Sequence, residues 1–162
     1  VRWAERHLQP ERPGFTVHRL DRAANGLILV AHSKRTAAAL SRLFRSRKVE
    51  KRYLARVHGD FAGQPDPLRI DQPLDGKPAV TEVALMEVSA DGRQSLLEVR
   101  IETGRKHQIR RHLAAIGHPV IGDRLYGSGE DDGEDLQLTA ALLAFRCPVA
   151  GEKVEFRLGE AS

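Results

Sequence analysis

Apolar residues between positions 34 and 47 recur at the spacing of one face of an α-helix. Ala37, Leu40 and Phe44 lie at i, i+3 and i+7, and Ser33 precedes them as a favoured N-cap residue. We therefore predict a helix over 34–47, with its apolar stripe packed on the core and its arginines turned outward.

A second stretch with helical spacing covers residues 107–116. Ile109, Leu113 and Ile116 lie at i, i+4 and i+7, and Gly117 follows as a glycine suited to end a helix. We predict a helix here as well.

Continuous or alternating apolar runs predict β-strands elsewhere. The segments are 27–31, 49–57, 80–88, 95–101, 139–145 and 154–158, with a turn at Asn25-Gly26 and a hairpin across residues 90–92. Residues 59–78 are rich in Gly and Pro and predict a loop with at most short strands. The pattern indicates an α+β fold, with a mostly antiparallel or mixed central sheet and about two main helices packed on it.

Composition sets the class of protein. The chain has 162 residues, 41% of them hydrophobic, and a chain of this length buries roughly 70% of the surface that its unfolded form exposes. We expect one globular domain over 1–162. The single Cys147 can form no internal disulfide, the charged first dozen residues do not resemble a signal peptide, and no apolar run reaches about 18 residues. We therefore expect a cytoplasmic protein with no membrane span. We also expect a monomer.

Charge is concentrated in one segment. The net charge is +4, but residues 34–56 hold nine Lys or Arg with Glu50 as the only acid, while five acids cluster at 130–135, a predicted surface loop. Such a basic segment favours a polyanion as partner, although a solvated protein face is the ordinary alternative. Aromatic residues are only 5% of the chain. Binding through shape and phosphate contacts is therefore favoured over base stacking.

The candidate chemistry lies in HRLDRAANGLILVA, residues 18–31. Asp21 is flanked by Arg19 and Arg22 and stands just before an apolar run, where a turn can expose a reacting group beside a rigid strand. The alternative is a solvated Asp between two Arg residues.

Two further segments complete a pattern, TGRKHQIRRHLAAIGHPVIGDRLYG at 103–127 and KRYLARVHG at 51–59. Together the three resemble the pseudouridine synthases of the RluA type, which carry His-Arg-Leu-Asp, Lys-x-Tyr-x-Ala and Gly-Arg-x-His-Gln-Ile/Leu-Arg in this order. The resemblance runs from about Pro13 to Phe156. The sequence departs from it at 23–26, where Ala-Ala-Asn-Gly replaces the usual Thr-Ser-Gly turn, although Asn25 can still cap that turn.

The resemblance implies an RNA pseudouridine synthase that isomerises uridines in structured RNA, ribosomal or transfer, after base flipping. It implies Asp21 as catalyst, Arg110 as its charge partner and Tyr53 against the target base. Asp21 would act as a nucleophile toward the sugar or the base, or as a base that removes a sugar proton, and the sequence does not choose among these. No cofactor or metal is implied, and the N-terminal strand usual in the family is missing from these residues.

The same resemblance supplies expected contacts with the RNA. Arg19 is expected to act as a wedge or phosphate contact, with a structural salt bridge as its alternative, and His18 to orient the turn by hydrogen bonding. The remaining expected substrate-binding residues meet RNA phosphates or support the cleft wall: Arg105, His107, Gln108, Ile109 and Arg111.

Two other functions remain open at this point. One is a catalytically silent RNA-binding domain on the same fold. The other is a hydrolase that uses Asp21 with His18, which lacks a second suitable carboxylate in either motif.

Overall fold

A computed structural model describes residues 13–129 and 133–159. Residues 130–132 of the predicted acidic loop lie outside that range. In chain order the elements are β1 (Phe15–Thr16), β2 (Asn25–Gly26), β3 (Val30–Ala31), α1 (Lys34–Arg45), β4 (Glu50–His58), a 3-10 turn (Phe61–Gly63), β5 (Leu68–Asp71), β6 (Val80–Val88), β7 (Gln94–Ile101), α2 (Gln108–Ala115), β8 (Leu138–Arg146) and β9 (Lys153–Arg157).

Seven of these strands form one sheet in the order β2-β8-β4-β7-β6-β5, with β9 also paired to β8. Every pairing is antiparallel except that of β2 with β8, which is parallel. Strands β1 and β3 form a separate antiparallel pair. The prediction of an α+β fold with a mixed, mostly antiparallel sheet and two main helices is confirmed.

The prediction of a continuous strand over 27–31 is wrong. The Leu29 N–H is not available for strand pairing, because it donates to His18 Nε2 at 2.8 Å. The predicted turn at Asn25-Gly26 is instead the short strand β2. Gly26 has φ +111, and a Cβ there would lie 2.3 Å from Ala140 O, so only glycine fits against β8. The Asn25 carboxamide oxygen accepts a hydrogen bond from the Thr139 hydroxyl, so this side chain contacts β8.

The two helices begin and end close to their predicted limits. Ser33 Oγ accepts the Thr36 N–H at 3.1 Å, which confirms the N-cap of α1. Helix α1 ends at Arg45, and Arg47 has a left-handed backbone with φ +61. Helix α2 starts one residue later than predicted because His107 is itself left-handed, with φ +53.

Buried apolar residues form two clusters that share strand β8. One cluster packs α2 on the sheet and contains the fully buried Ala55, Val57, Leu97, Val99 and Leu113. The other packs α1 on the far part of β8, through residues that include Leu40, Val49, Leu143 and Phe145. Strands β4 and β7 thus turn Ala55, Val57, Leu97 and Val99 toward the core, and the sheet fixes the two helices on either side of a cleft.

Candidate active site

A cavity of about 740 Å³ opens between the turn after β1, the end of α1, strand β4 and the loop after β7. This volume is in the range of small-molecule and cofactor sites. Seven of the expected site residues line it: His18, Arg19, Asp21, Tyr53, Arg105, Gln108 and Ile109. His107, Arg110 and Arg111 are not among its lining residues.

Asp21 is presented to this cavity by a tight turn. Its backbone C=O accepts the Ala24 N–H at 2.9 Å, and its side chain is 26% exposed. Asp21 Oδ2 lies 3.9 Å from Arg110 Nη1. That separation is an ion-pair distance and is longer than a hydrogen bond, so the guanidinium stabilises the carboxylate by charge while leaving its oxygens open to the cavity.

The closest partner of Arg110 is Asp123, which the sequence analysis did not identify. Arg110 donates from Nη2 to Asp123 Oδ1 at 2.7 Å and from Nε to Asp123 Oδ2 at 2.9 Å. The Asp123 side chain is fully buried, and its Oδ1 also accepts the N–H groups of Leu125 and Tyr126. This bidentate pair fixes the plane of the guanidinium and leaves Nη1 directed at Asp21.

Opposing effects act on the pKa of Asp123. Burial raises this pKa, but the hydrogen bonds from Arg110, Tyr126 N–H and Leu125 N–H and the charge of Arg110 more than offset it, so the pKa lies below its usual value. Asp123 therefore stays ionised beside Arg110. The sequence carries no specific signal for this pair, because every residue except Pro offers an N–H and the turn at Asp123 is evident only in the fold.

Tyr126 contacts both Arg110 and His107. Its ring centroid lies 5.3 Å from the Arg110 Cζ, and its hydroxyl is 2.8 Å from His107 Nδ1. His107 is thus engaged with Tyr126 behind the cavity. The expectation that His107 meets RNA phosphates is not supported by this position, which suits support of the cleft wall.

Tyr53 lines the cavity from strand β4 and is partly buried. Burial, with the negative charge of Asp21 as a second cause, raises the pKa of its hydroxyl to about 12. Tyr53 is therefore neutral near pH 7 and can donate a hydrogen bond into the cavity.

His18 is held as a neutral acceptor. Its Nε2 accepts the Leu29 N–H, and its ring stacks on Phe44 with centroids 4.4 Å apart. Burial, with the charge of Lys51 as a second cause, lowers its pKa to about 4. This arrangement fits a residue that orients the chain by hydrogen bonding.

Gln108 and Ile109 lie inside the cleft wall. The Gln108 amide donates to Val80 O and Thr81 Oγ1 and accepts from Thr103 and the Arg105 N–H, so its polar atoms are already paired. Ile109 is 4% exposed and belongs to the α2 cluster. Both positions favour wall support over phosphate contact.

Arg105 and Arg111 are each tied to a neighbouring segment. Arg105 lines the cavity and donates to Pro78 O at 2.8 Å. Arg111 donates to both carboxylate oxygens of Asp75 at 3.0 Å each, on the exposed side of α2. Arg111 does not line the cavity, so its expected contact with an RNA phosphate would lie outside the cavity and stays a prediction.

The charged residues that line the cavity are mostly basic. Six are Lys or Arg and two are acidic, so the cavity favours an anionic ligand. Arg19 is exposed, and the salt bridge considered as its alternative is not seen among the described residues. The basic residues are Arg19, Arg45, Arg47, Lys51, Arg105 and Lys106, and the acidic ones are Asp21 and Glu102.

Within residues 13–129 and 133–159, no cluster of three or more His, Cys, Asp or Glu side chains is arranged to hold a metal ion. His112 is fully buried and its two ring nitrogens contact Thr81 Oγ1 and Gln72 O. In the same residues, neither α-helix has the length and hydropathy needed to carry the chain through a bilayer.

Comparison with known proteins defines the family. A sequence profile described as RNA pseudouridylate synthase matches residues 4–115. The dual-specificity RNA pseudouridine synthase RluA of Salmonella typhimurium is 38% identical over 162 aligned positions, which cover 88% of this chain and 72% of that protein. The protein of the same name from Escherichia coli K12 is 38% identical over 161 positions, covering 88% and 71%.

Solved structures agree with the sequence comparison. Human RNA pseudouridylate synthase domain containing 1 superposes with a TM-score of 0.78 at 30% identity, covering 91% of this chain and 69% of that chain. Human RNA pseudouridylate synthase domain containing 4 superposes with a TM-score of 0.74 at 23% identity, covering 90% and 70%, which supports the fold.

The chain belongs to the RNA pseudouridylate synthase family. It is accordingly an isomerase of the RluA type, a class that converts uridine to pseudouridine in RNA.

Proposed function

We propose that this protein isomerises specific uridines in structured RNA, ribosomal or transfer, with Asp21 as the group that acts on the target nucleotide. The observation that carries the proposal is the position of Asp21 in the cleft. It is a partly exposed carboxylate in a cation-lined cavity, with Tyr53 on the wall and a buried guanidinium 3.9 Å behind it. The similarity to the proteins named dual-specificity RNA pseudouridine synthase RluA supports the choice of RNA.

The reaction needs only groups that the cavity contains. The bond between the sugar C1′ and N1 of uracil breaks, the base rotates, and a bond forms between C1′ and C5. The C5 proton leaves to solvent and N1 gains a proton, so no water or redox equivalent is consumed. Asp21 starts the sequence by attacking the sugar or the base or by taking a sugar proton, and these three routes stay open.

Arg110 acts through Asp21 in this proposal. It does not line the cavity, and its side chain is 6% exposed, so it is a positioning residue whose charge holds the Asp21 carboxylate in place from 3.9 Å away. Asp123 in turn holds Arg110 through two hydrogen bonds.

Tyr53 and Arg19 complete the proposed arrangement. A uridine within folded RNA must be extruded to reach the cavity. The neutral Tyr53 ring offers a surface for the extruded base and a hydroxyl within the cleft. Arg19 is exposed on the cavity rim, where it can fill the gap in the RNA or bind phosphate.

We place the enzyme in the cytoplasm, as a monomer that uses neither metal nor cofactor. A single cysteine that can form no internal disulfide supports a reducing compartment. The isomerisation balances without a redox partner, which supports a reaction run by side chains alone.

The function is tested with RNA labelled by tritium at C5 of uridine. The wild-type protein should release tritium, and Asp21→Ala should not. Release that continues unchanged in Asp21→Ala would overturn the role of Asp21. RNA binding without any release by the wild type would indicate a silent binding domain, and liberation of free uracil would indicate a hydrolase.

A further inference from the structure

Lys51 is a charged cavity residue to which the proposed mechanism gives no role. It lies on β4 two residues before Tyr53, so the two side chains share one face of the strand, about 7 Å apart along it. Its ammonium group lies beside the loop after β7, where a Cβ on Gly104 would lie 3.3 Å from Lys51 Nζ. Lys51 thus extends along the wall of the cavity next to Tyr53.

The charge of Lys51 has no counterion within the described residues. Glu50 and Glu98, the acids near it on β4 and β7, both pair with Arg52, at 2.7 and 3.0 Å. The two acids of the cavity, Asp21 and Glu102, do not come within ion-pair distance of Lys51.

Burial without a partner is unfavourable for a cation, and here it lowers the pKa of Lys51. An ammonium group carries three hydrogen-bond donors. A site that keeps them directed at a cavity and free of protein acceptors is suited to an anion that arrives with the ligand.

We propose that Lys51 binds one of the two backbone phosphates that flank the extruded uridine, and so sets the position of the nucleotide beside Tyr53. The inference rests on the proposed function. The spacing along β4 brings a phosphate within reach of the long Lys51 side chain when the base lies on Tyr53. Arg45 and Arg47 are exposed at the rim of the same cavity and are placed for the outer RNA backbone, whereas Lys51 is placed for the target nucleotide itself.

The test couples one protein charge to one RNA charge. Synthetic RNA stem-loops carry a neutral methylphosphonate at single positions around the target uridine, and their Kd is measured with wild type and Lys51→Met. In the wild type, one of the two flanking methylphosphonates should weaken binding by about tenfold. In Lys51→Met, unmodified RNA should bind about tenfold more weakly, and the same methylphosphonate should weaken binding no further.

Lys48→Met is the matched control, because Lys48 is exposed and does not line the cavity. It should keep the full effect of the flanking methylphosphonate. The inference is overturned if every phosphate position has the same effect in wild type and Lys51→Met. It is also overturned if Lys51→Met lowers Tm, because removal of an unpaired, partly buried charge should leave the fold as stable or more stable.

Failure of this inference and failure of the proposed function give different results. The coupling is measured in Kd, which requires no reaction, whereas the function is measured by tritium release from unmodified RNA. If the methylphosphonate effect depends on Lys51 but no tritium is released, the phosphate site is retained and the enzymatic proposal is rejected. If tritium is released but the methylphosphonate effect does not depend on Lys51, the enzymatic proposal is retained and the phosphate site is rejected.

Discussion

Asp123→Asn removes one negative charge from the buried pair with Arg110 and leaves the shape of the side chain almost unchanged. The Asn carbonyl oxygen can still accept the N–H groups of Leu125 and Tyr126, which Asp123 Oδ1 accepts now. Its amide nitrogen, however, presents a donor to the Arg110 Nε–H, which now donates to Asp123 Oδ2 at 2.9 Å. The substitution therefore removes the ion pair but keeps the hydrogen bonds of the turn.

The magnitude follows from burial. The two side chains are 6% and 0% exposed, and breaking a buried pair by removing one partner costs about 3–5 kcal/mol. Asp21 remains 3.9 Å from the guanidinium and offsets part of the loss, so we expect about 3 kcal/mol, near the lower limit of this range. For a chain of this length, a loss of that size lowers Tm by roughly 6–12 °C.

The assay compares Asp123→Asn with Asp75→Asn in thermal and denaturant unfolding. Asp75 makes the same two hydrogen bonds, at 3.0 Å each, to the adjacent Arg111, but its side chain is 64% exposed. Solvent screens this outer pair, so Asp75→Asn should change Tm little. Equal shifts in the two variants would refute the argument that burial makes the Arg110 pair important.

Measuring the stability of both proteins over a range of pH tests the direction of the Asp123 pKa shift. The folded-state pKa of Asp123 lies below the ordinary value of 3.8, so its stabilising contribution is complete above about pH 4 and is lost as pH falls through the folded-state pKa. The stability gap between wild type and Asp123→Asn should therefore be full at pH 7 and shrink in acid. A gap that widens as pH falls would contradict this account.

Two further predictions concern the cleft. Burial raises the Tyr53 pKa to about 12, so above pH 10 this hydroxyl ionises in the unfolded chain before it does in the folded protein, and the protein loses stability. Tyr53→Phe should remove this loss of stability at alkaline pH and slow single-turnover isomerisation by on the order of 100-fold. An unchanged rate would exclude Tyr53 from the chemistry. Replacing Arg45 and Arg47 by Glu should weaken RNA binding and flatten the slope of log Kd against log salt concentration by about one unit for each phosphate that is no longer bound. The same replacement of Arg35 and Arg42, which do not line the cavity, should have a smaller effect. Equal effects would place the RNA elsewhere.

The longer elements could be predicted because their patterns are local. Helix α1 carries its own cap at Ser33 and its own apolar stripe. Strands β4, β6, β7 and β8 each have an alternating or continuous apolar pattern over eight or nine residues. Strands β2 and β3 have two residues each and are defined by partners that pair from elsewhere in the chain. The sequence between them is as apolar as a strand, but a side-chain acceptor, His18, takes one of its N–H groups.

The candidate site divides in a similar way. Asp21, Tyr53 and Arg110 were identified from motifs, and the fold brings Asp21 to the cavity with Arg110 behind it. The Arg110 partner Asp123 was missed because the two are 13 residues apart, and only the packing of the segment after α2 brings them together. Helical spacing from the buried Ile109 puts Arg110 about 100° and Arg111 about 200° round α2, which agrees with the buried position of Arg110 and the more exposed position of Arg111.

The most direct test of the central claim measures RNA affinity and single-turnover isomerisation for wild type and Asp21→Asn on the same RNA. Asn keeps the size and polarity of the side chain but cannot act as a carboxylate. The account predicts nearly unchanged Kd together with loss of pseudouridine formation. Pseudouridine formed by Asp21→Asn at the wild-type rate would contradict it, because the cavity would then perform the reaction without its carboxylate.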